Sequence, residues 1–114
     1  MNDWHVDFSR EIESAQAARA QGNEGRARVC ARRAAGLVLS AYFAAQGIAF
    51  NRPSAYDKLR FFAALPTAPP AAREVAQHFL VRVTPEYHLP LEADLIAEAE
   101  WLRQVLFPSQ TDGG

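Results

Sequence analysis

Apolar residues recur along this chain at spacings of three and four, the repeat of a helix with one buried face. Trp4, Phe8, Ile12 and Ala15 form the first such stripe. Asn2 or Asp3 can cap its start, and Gly22-Asn23 breaks it just after Gln21. Asn23 can then cap a longer second helix, from Glu24 to near Gln46. Its first half carries arginines. Its second half, AAGLVLSAYFAA, is apolar nearly all round, so it is predicted to be central and buried. Gly47 stops it, at the position where a left-handed residue commonly ends a helix.

Residues 48–53 read as a connection. Ser54-Ala-Tyr-Asp57 has the spacing of a capping box and opens a short third helix, DKLRFFAAL, that ends before Pro66. Thr67 is a candidate cap for the fourth helix, with Pro69-Pro70 at its start, where prolines are tolerated. That helix is predicted over 71–83, with Val75 and Phe79 four apart. Thr84-Pro85 ends it, because the residue before a proline is biased away from helix. EYHLP is a loop. The fifth helix is predicted over 91–107 on Leu91, Leu95, Ala99, Leu102 and Leu106, and Glu92, Asp94 and Glu98 in its first turns suit the helix dipole. These elements predict an all-α fold, an antiparallel up-and-down bundle of four to five helices. One domain spans 1–107, and 108–114 form a disordered polar tail.

Composition sharpens this picture. Alanine supplies 22 of the 114 residues, so the helices must pack closely through small contacts. Strand formers are scarce, with 3 Ile, 7 Val and 3 Thr. No apolar run reaches the length of a membrane span, and the acidic, amphipathic N-terminus is unlike a signal peptide. Cys30 is the only cysteine, which excludes an internal disulfide and suits a reducing, cytoplasmic setting. It shares a helix face with Ala34, Leu37 and Ala41, as a small core residue would.

Net charge is −1, so no bulk basic field attracts nucleic acid. The distribution is uneven. Residues 19–33 hold five arginines against Glu24 alone, while residues 86–100 hold five acids and no Lys or Arg. Two surface faces that attract each other, within one chain or across a dimer, would account for this. The alternative is that Arg26, Arg28, Arg32 and Arg33 contact phosphate or RNA. There is no Gly-rich phosphate loop, no HExxH, no Glu-x-x-His pair and no Cys/His cluster, so neither a metal nor a cofactor is expected. Helices three and four offer mostly Phe, Ala and Leu, a poor base-reading set for a helix-turn-helix.

GNEGRARVCARRAAGLVLSAYFAAQGI resembles the second helix of HEPN domains (higher eukaryotes and prokaryotes nucleotide-binding). SAYDKLRFFAAL is similar to the short helix that follows it there. AREVAQHFLVRVTP resembles the helix ending in an Arg-containing turn, and LEADLIAEAEWLRQVL resembles the last helix. The resemblance covers nearly the whole chain through helix lengths and soft patterns. It implies a bundle of four or five helices, usually a homodimer, often beside a nucleotidyltransferase partner. Some members are metal-independent RNases with an Arg-x(4–6)-His motif that meets its copy at the dimer cleft.

That spacing occurs twice, as Arg82-VTPEY-His88 and as Arg73-EVAQ-His78. The chemistry would be apt: histidine can move a 2′-OH proton near neutral pH, and a guanidinium can hold phosphate oxygens bidentately. Each pair has a defect. Val83 follows Arg82 and Pro85 interrupts the helix, while five helical steps place Arg73 and His78 about 140° apart. Arg82 could instead bond the last carbonyls of its helix, and His88 could cap a loop. The leading expectation is therefore a HEPN-like binding or interaction module, associated with a nucleotide or RNA and paired with a nucleotidyltransferase. A toxin-like endoribonuclease, catalytic through Arg82 and His88 or through Arg73 and His78, is the alternative. A structural oligomerisation domain is the third reading.

Overall fold

Short polar side chains start four of the five helices among the described residues. A computed structural model describes residues 3–81 and 94–108. Asp3 accepts a hydrogen bond from the His5 amide at 3.0 Å and opens α1 (Trp4–Ala20). Asn23 accepts from the Arg26 amide at 3.0 Å and opens α2 (Glu24–Ala45). Ser54 accepts from the Asp57 amide at 3.2 Å and opens α3 (Ala55–Ala63). Asp94 accepts from the Ala97 amide at 3.3 Å and opens α5 (Leu95–Leu106). Each carboxylate, amide or hydroxyl satisfies an amide that has no partner inside its own helix.

The helix α4 (Pro70–His78) begins differently. Pro69 stands at its N-cap without a side-chain bond and Pro70 takes the first turn, so the cap expected at Thr67 is not used. Proline needs no acceptor for a missing amide hydrogen, and its φ is already helical.

Glycine ends α1 and α2. Gly22 and Gly47 have φ of 78° and 71°, in the left-handed region that glycine enters without penalty. Past Gly22, the Asn23 amide reaches back to the Ala18 carbonyl at 2.8 Å. Past Gly47, the Ile48 amide reaches back to Phe43 at 2.8 Å. Both are the six-to-one closure of a Schellman turn. The three-residue link at Gly22 turns α1 and α2 into an antiparallel hairpin.

The central helix is α2, in keeping with its all-round apolarity. It packs against α1, α3 and α5, while α4 packs against α3 and α5. Ala27, Ala31, Ala34 and Ala35 are fully buried on it, and so are Val38 and Leu39. Phe8, Leu59, Phe62, Phe79 and Leu102 fill the remaining space from the other elements. Cys30 lies in this core. Gly36 lies where α3 meets α2: a Cβ there would stand 2.9 Å from the Ala55 Cβ. Trp4 rests on Phe107 with ring centroids 5.0 Å apart, which joins the start of α1 to the end of α5.

The fold is all-α, and the described residues form a bundle of five helices without a strand. No described helix is long and apolar enough to cross a membrane. Two boundaries differ from expectation by more than two residues. α4 stops at His78 rather than running to Val83, and α5 starts at Leu95 rather than Leu91. Beyond His78 the amides of Phe79 and Leu80 bond three residues back, to Ala76 at 3.2 Å and Gln77 at 3.0 Å, a tightening typical of a helix end. The Phe79 carbonyl, at the end of the helix, accepts from Arg32 on α2. Thr84-Pro85, EYHLP and Leu91 lie outside the described residues.

Candidate functional site

The arginines of α2 do not form one stripe. At about 100° per residue, Arg26 and Arg33 return to within about 20° of each other, and Arg28 and Arg32 to within about 40° on the opposite side. Arg26 and Arg33 are exposed, whereas Arg28 and Arg32 are half-buried. The Arg32 Nε donates to the Phe79 carbonyl at 3.3 Å. Burial pulls its pKa below the ordinary guanidinium value, with nearby Arg28 acting in the same direction. Arg32 thus spends one donor on the end of α4. Arg19, before the helix, donates to Glu24 at 2.8 Å and to Asp94 at 3.0 Å. The basic and acidic segments therefore meet within one chain, at Arg19 and Asp94.

Arg33 lines a groove of about 490 Å³ between three helices. α1 contributes Asp7, Arg10 and Glu11, at the i, i+3, i+4 spacing that puts side chains on one face. α2 contributes Arg33, Gly36 and Leu37 at the same spacing. Pro53, Ala55 and Lys58 close the third side. The groove exists because Gly36 lets α3 come close at one level, while Lys58, the only lysine of the chain, lies along it. Among the described residues no ion pair or side-chain hydrogen bond engages Arg10, Arg33 or Lys58. Burial lowers the Lys58 pKa, so an anion arriving in the groove would favour its charged form. Arg10, Arg33 and Lys58 together can hold phosphate oxygens, and Asp7 and Glu11 can accept from hydroxyls or amino groups beside them.

The pair Arg73 and His78 is placed on α4, and each is half-buried. His78 is bound elsewhere: its Nδ1 lies 2.9 and 3.0 Å from the two carboxylate oxygens of Glu98 on α5. An ionised carboxylate only accepts, so in this contact the Nδ1 is the donor. Among the described residues, the buried Arg73 Nε has no hydrogen-bond partner. Arg82 and His88 lie outside the described residues. No group of three or more His, Cys, Asp or Glu side chains among the described residues could hold a metal ion.

Several of these residues escape a reading of motifs. Glu98 pairs with His78 across 20 positions, which no local pattern announces. Gly36 does carry a signal: a lone glycine inside a helix of good formers usually marks a close approach. The spacing of Asp7, Arg10 and Glu11 is visible too, but on an exposed face such a triplet has no meaning until α3 is placed against it. No family model, curated protein or solved structure matches this chain.

Proposed function

We propose that this chain is a HEPN-like binding module that takes a nucleotide in the groove between α1, α2 and α3. The observation that carries the reading is the convergence of Arg10, Arg33 and Lys58, unpaired among the described residues, on one groove of about 490 Å³. That volume lies within the common range for small-molecule sites, about 300–1,000 Å³. Arg33 and Lys58 would hold the phosphate, and Asp7 or Glu11 the ribose hydroxyls, the task a carboxylate performs in dinucleotide sites. Arg26, exposed on the same side of α2 as Arg33 but outside the groove, would meet a second copy of the chain or a nucleotidyltransferase partner in the cytoplasm. Calorimetric titration with AMP and ATP tests the site. Binding in the micromolar to millimolar range, lost in Arg33→Glu and weakened in Lys58→Gln, is the expected result; no heat from the wild-type chain would sink the reading.

A second reading, a metal-independent endoribonuclease, is favoured by one contact. Glu98 on the Nδ1 of His78 orients the ring as a general base is oriented elsewhere. An RNA cleavage assay with EDTA present decides between the pairs. Loss in Arg73→Ala, His78→Ala and Glu98→Gln assigns the chemistry to α4 and α5; loss in Arg82→Ala and His88→Ala assigns it to the other pair. No cleavage by the wild-type chain leaves the binding module alone.

A further inference from the structure

At the end of the bundle where α2 gives way to α3, two aromatic rings meet at the surface. Phe50 and Phe61 lie with centroids 4.8 Å apart, tilted by 37°. Phe50 is half-buried. Phe61 is 38 % exposed, although most phenylalanines of the chain are buried in the core. Behind them Phe43 is buried and touches both, at 5.3 Å from Phe50 and edge-on at 5.4 Å from Phe61. The two rings therefore have a fixed backing and present a preformed apolar surface. Arg52 and Arg60 line the same groove of about 420 Å³ as the two rings, together with Asp57.

Neither guanidinium is saturated. Arg52 meets Asp57 at 3.8 Å while its side chain is 71 % exposed, a pair of little strength. Arg60 lies 5.9 Å from the Tyr56 ring, at the outer limit of a cation–π contact. An occupant that fits must offer a flat face to the phenylalanines and anionic groups beside it. An unpaired base with its flanking phosphates has that form. Stacking is tolerant of base identity, and two arginines beside a stacking surface suit the backbone of a strand. We propose that Phe50 and Phe61, with Arg52 and Arg60, form a stacking platform for single-stranded nucleic acid. The platform shares no residue with the nucleotide groove, so each can be lost without the other.

Fluorescence anisotropy with a labelled ten-nucleotide single-stranded RNA, the matching DNA and the corresponding RNA duplex tests this. Single strands bind and the duplex binds more weakly. A preference for RNA over DNA, or equal binding, identifies the strand that the platform takes. Phe61→Ala weakens single-strand binding by at least about fivefold, the low end for one lost stacked base. Arg60→Glu, an exposed change that leaves the aromatic packing in place, weakens it as well and lowers the salt dependence. AMP binding in the groove is unchanged by both variants. Strand binding that depends on Phe61 while AMP fails to bind would overturn the nucleotide groove and leave the platform standing. Strand binding indifferent to Phe61 and Arg60, or no strand binding, overturns the platform. So does an acidic leucine-rich peptide that binds with the same Phe61 dependence and displaces the strand, since the surface would then be a protein dock.

Discussion

The α1–α2 hairpin and the α4–α5 end of the molecule are both helical pairs, yet they are held by different means. In the hairpin, Asp3 and Asn23 cap within three residues of themselves, and the turn at Gly22 closes with one bond that reaches back five. In the other region, Arg32 reaches Phe79 across 47 positions, His78 reaches Glu98 across 20, and Arg19 reaches Asp94 across 75. Local chemistry makes the hairpin; tertiary contacts fix where α4 ends and how α5 is tied to the bundle. The hairpin should therefore survive changes that loosen the far end.

The largest test removes the buried anchor at that end. Phe79 is fully buried, and Phe79→Ala should cost about 4 kcal/mol in urea unfolding, through lost burial and the cavity left behind. Hydrogen exchange then sharpens the comparison: amides of α4 should lose protection before those of α2. Simultaneous loss in both helices would show that the two regions open as one.

The next test strikes the seat that joins the hairpin to α3. Gly36→Leu drives carbon atoms into Ala55, whose Cβ already stands 2.9 Å from the position of a first added carbon. The obstacle includes the α3 backbone, with the Ala55 Cα at 3.3 Å, so a rotamer change cannot relieve it. A loss of about 3 kcal/mol is expected, at the upper end for overpacking. AMP binding should fall as well, since Gly36 lines the groove. Unchanged stability would mean that α3 can move away from α2 without cost.

A third test separates the two kinds of helix end. Arg32→Met keeps much of the apolar stem and removes the donor to the Phe79 carbonyl. About 2 kcal/mol should be lost, the scale of a hydrogen bond to a charged group in a half-buried place. Asn23→Ala removes a local cap instead and should cost about 1 kcal/mol. Thr67→Ala should be within about 0.5 kcal/mol of neutral, because Thr67 is exposed and Pro69-Pro70 start α4 without it. A cost at Thr67 comparable to that at Asn23 would restore it as a cap.

The same division separates what is legible in the amino-acid sequence from what is not. Stripes, caps and glycines within a few residues of one another predict α1, α2 and α3 nearly to their ends. The end of α4 escapes them because the proline rule points to Thr84-Pro85, while the helix closes at His78 and the Phe79 carbonyl next to it bonds an arginine 47 residues away. The start of α5 escapes them because Leu91 continues an apolar repeat, but Asp94 is the residue with the capping bond. The groove is half legible. Charge marks Arg26, Arg28, Arg32 and Arg33 alike, yet of these four only Arg33 lines the groove, because only the placing of α1 and α3 distinguishes the faces of α2.

The smallest expected effect concerns the point where the basic and acidic segments meet. The hydrogen bond from Arg19 is the main reason that Glu24 titrates below the usual carboxylate range. Burial pushes Asp94 upward, but hydrogen bonds from Arg19 and from the amides of Ala97 and Ile96 outweigh it and bring it down. Arg19 itself is raised, chiefly by the hydrogen bond to Glu24, and stays charged through the whole acid range. The sign follows from the two carboxylates. Their folded values are depressed, so their contribution is fully present above the unfolded values, about 4, and is lost as pH falls through the lower folded ones. Arg19→Met should remove that part of the acid destabilisation and flatten the fall in stability below pH of about 4. The side chains are 39 %, 45 % and 55 % exposed for Arg19, Glu24 and Asp94, so solvent screens the pairs and the difference should stay below about 1 kcal/mol. Urea melts of both chains at low ionic strength measure it, and high salt should shrink the gap because screening weakens surface pairs. If the two chains fall in parallel from neutral pH into acid, Arg19 does not tie α1 to the start of α5, and the far end is held by Arg32 and His78 without it.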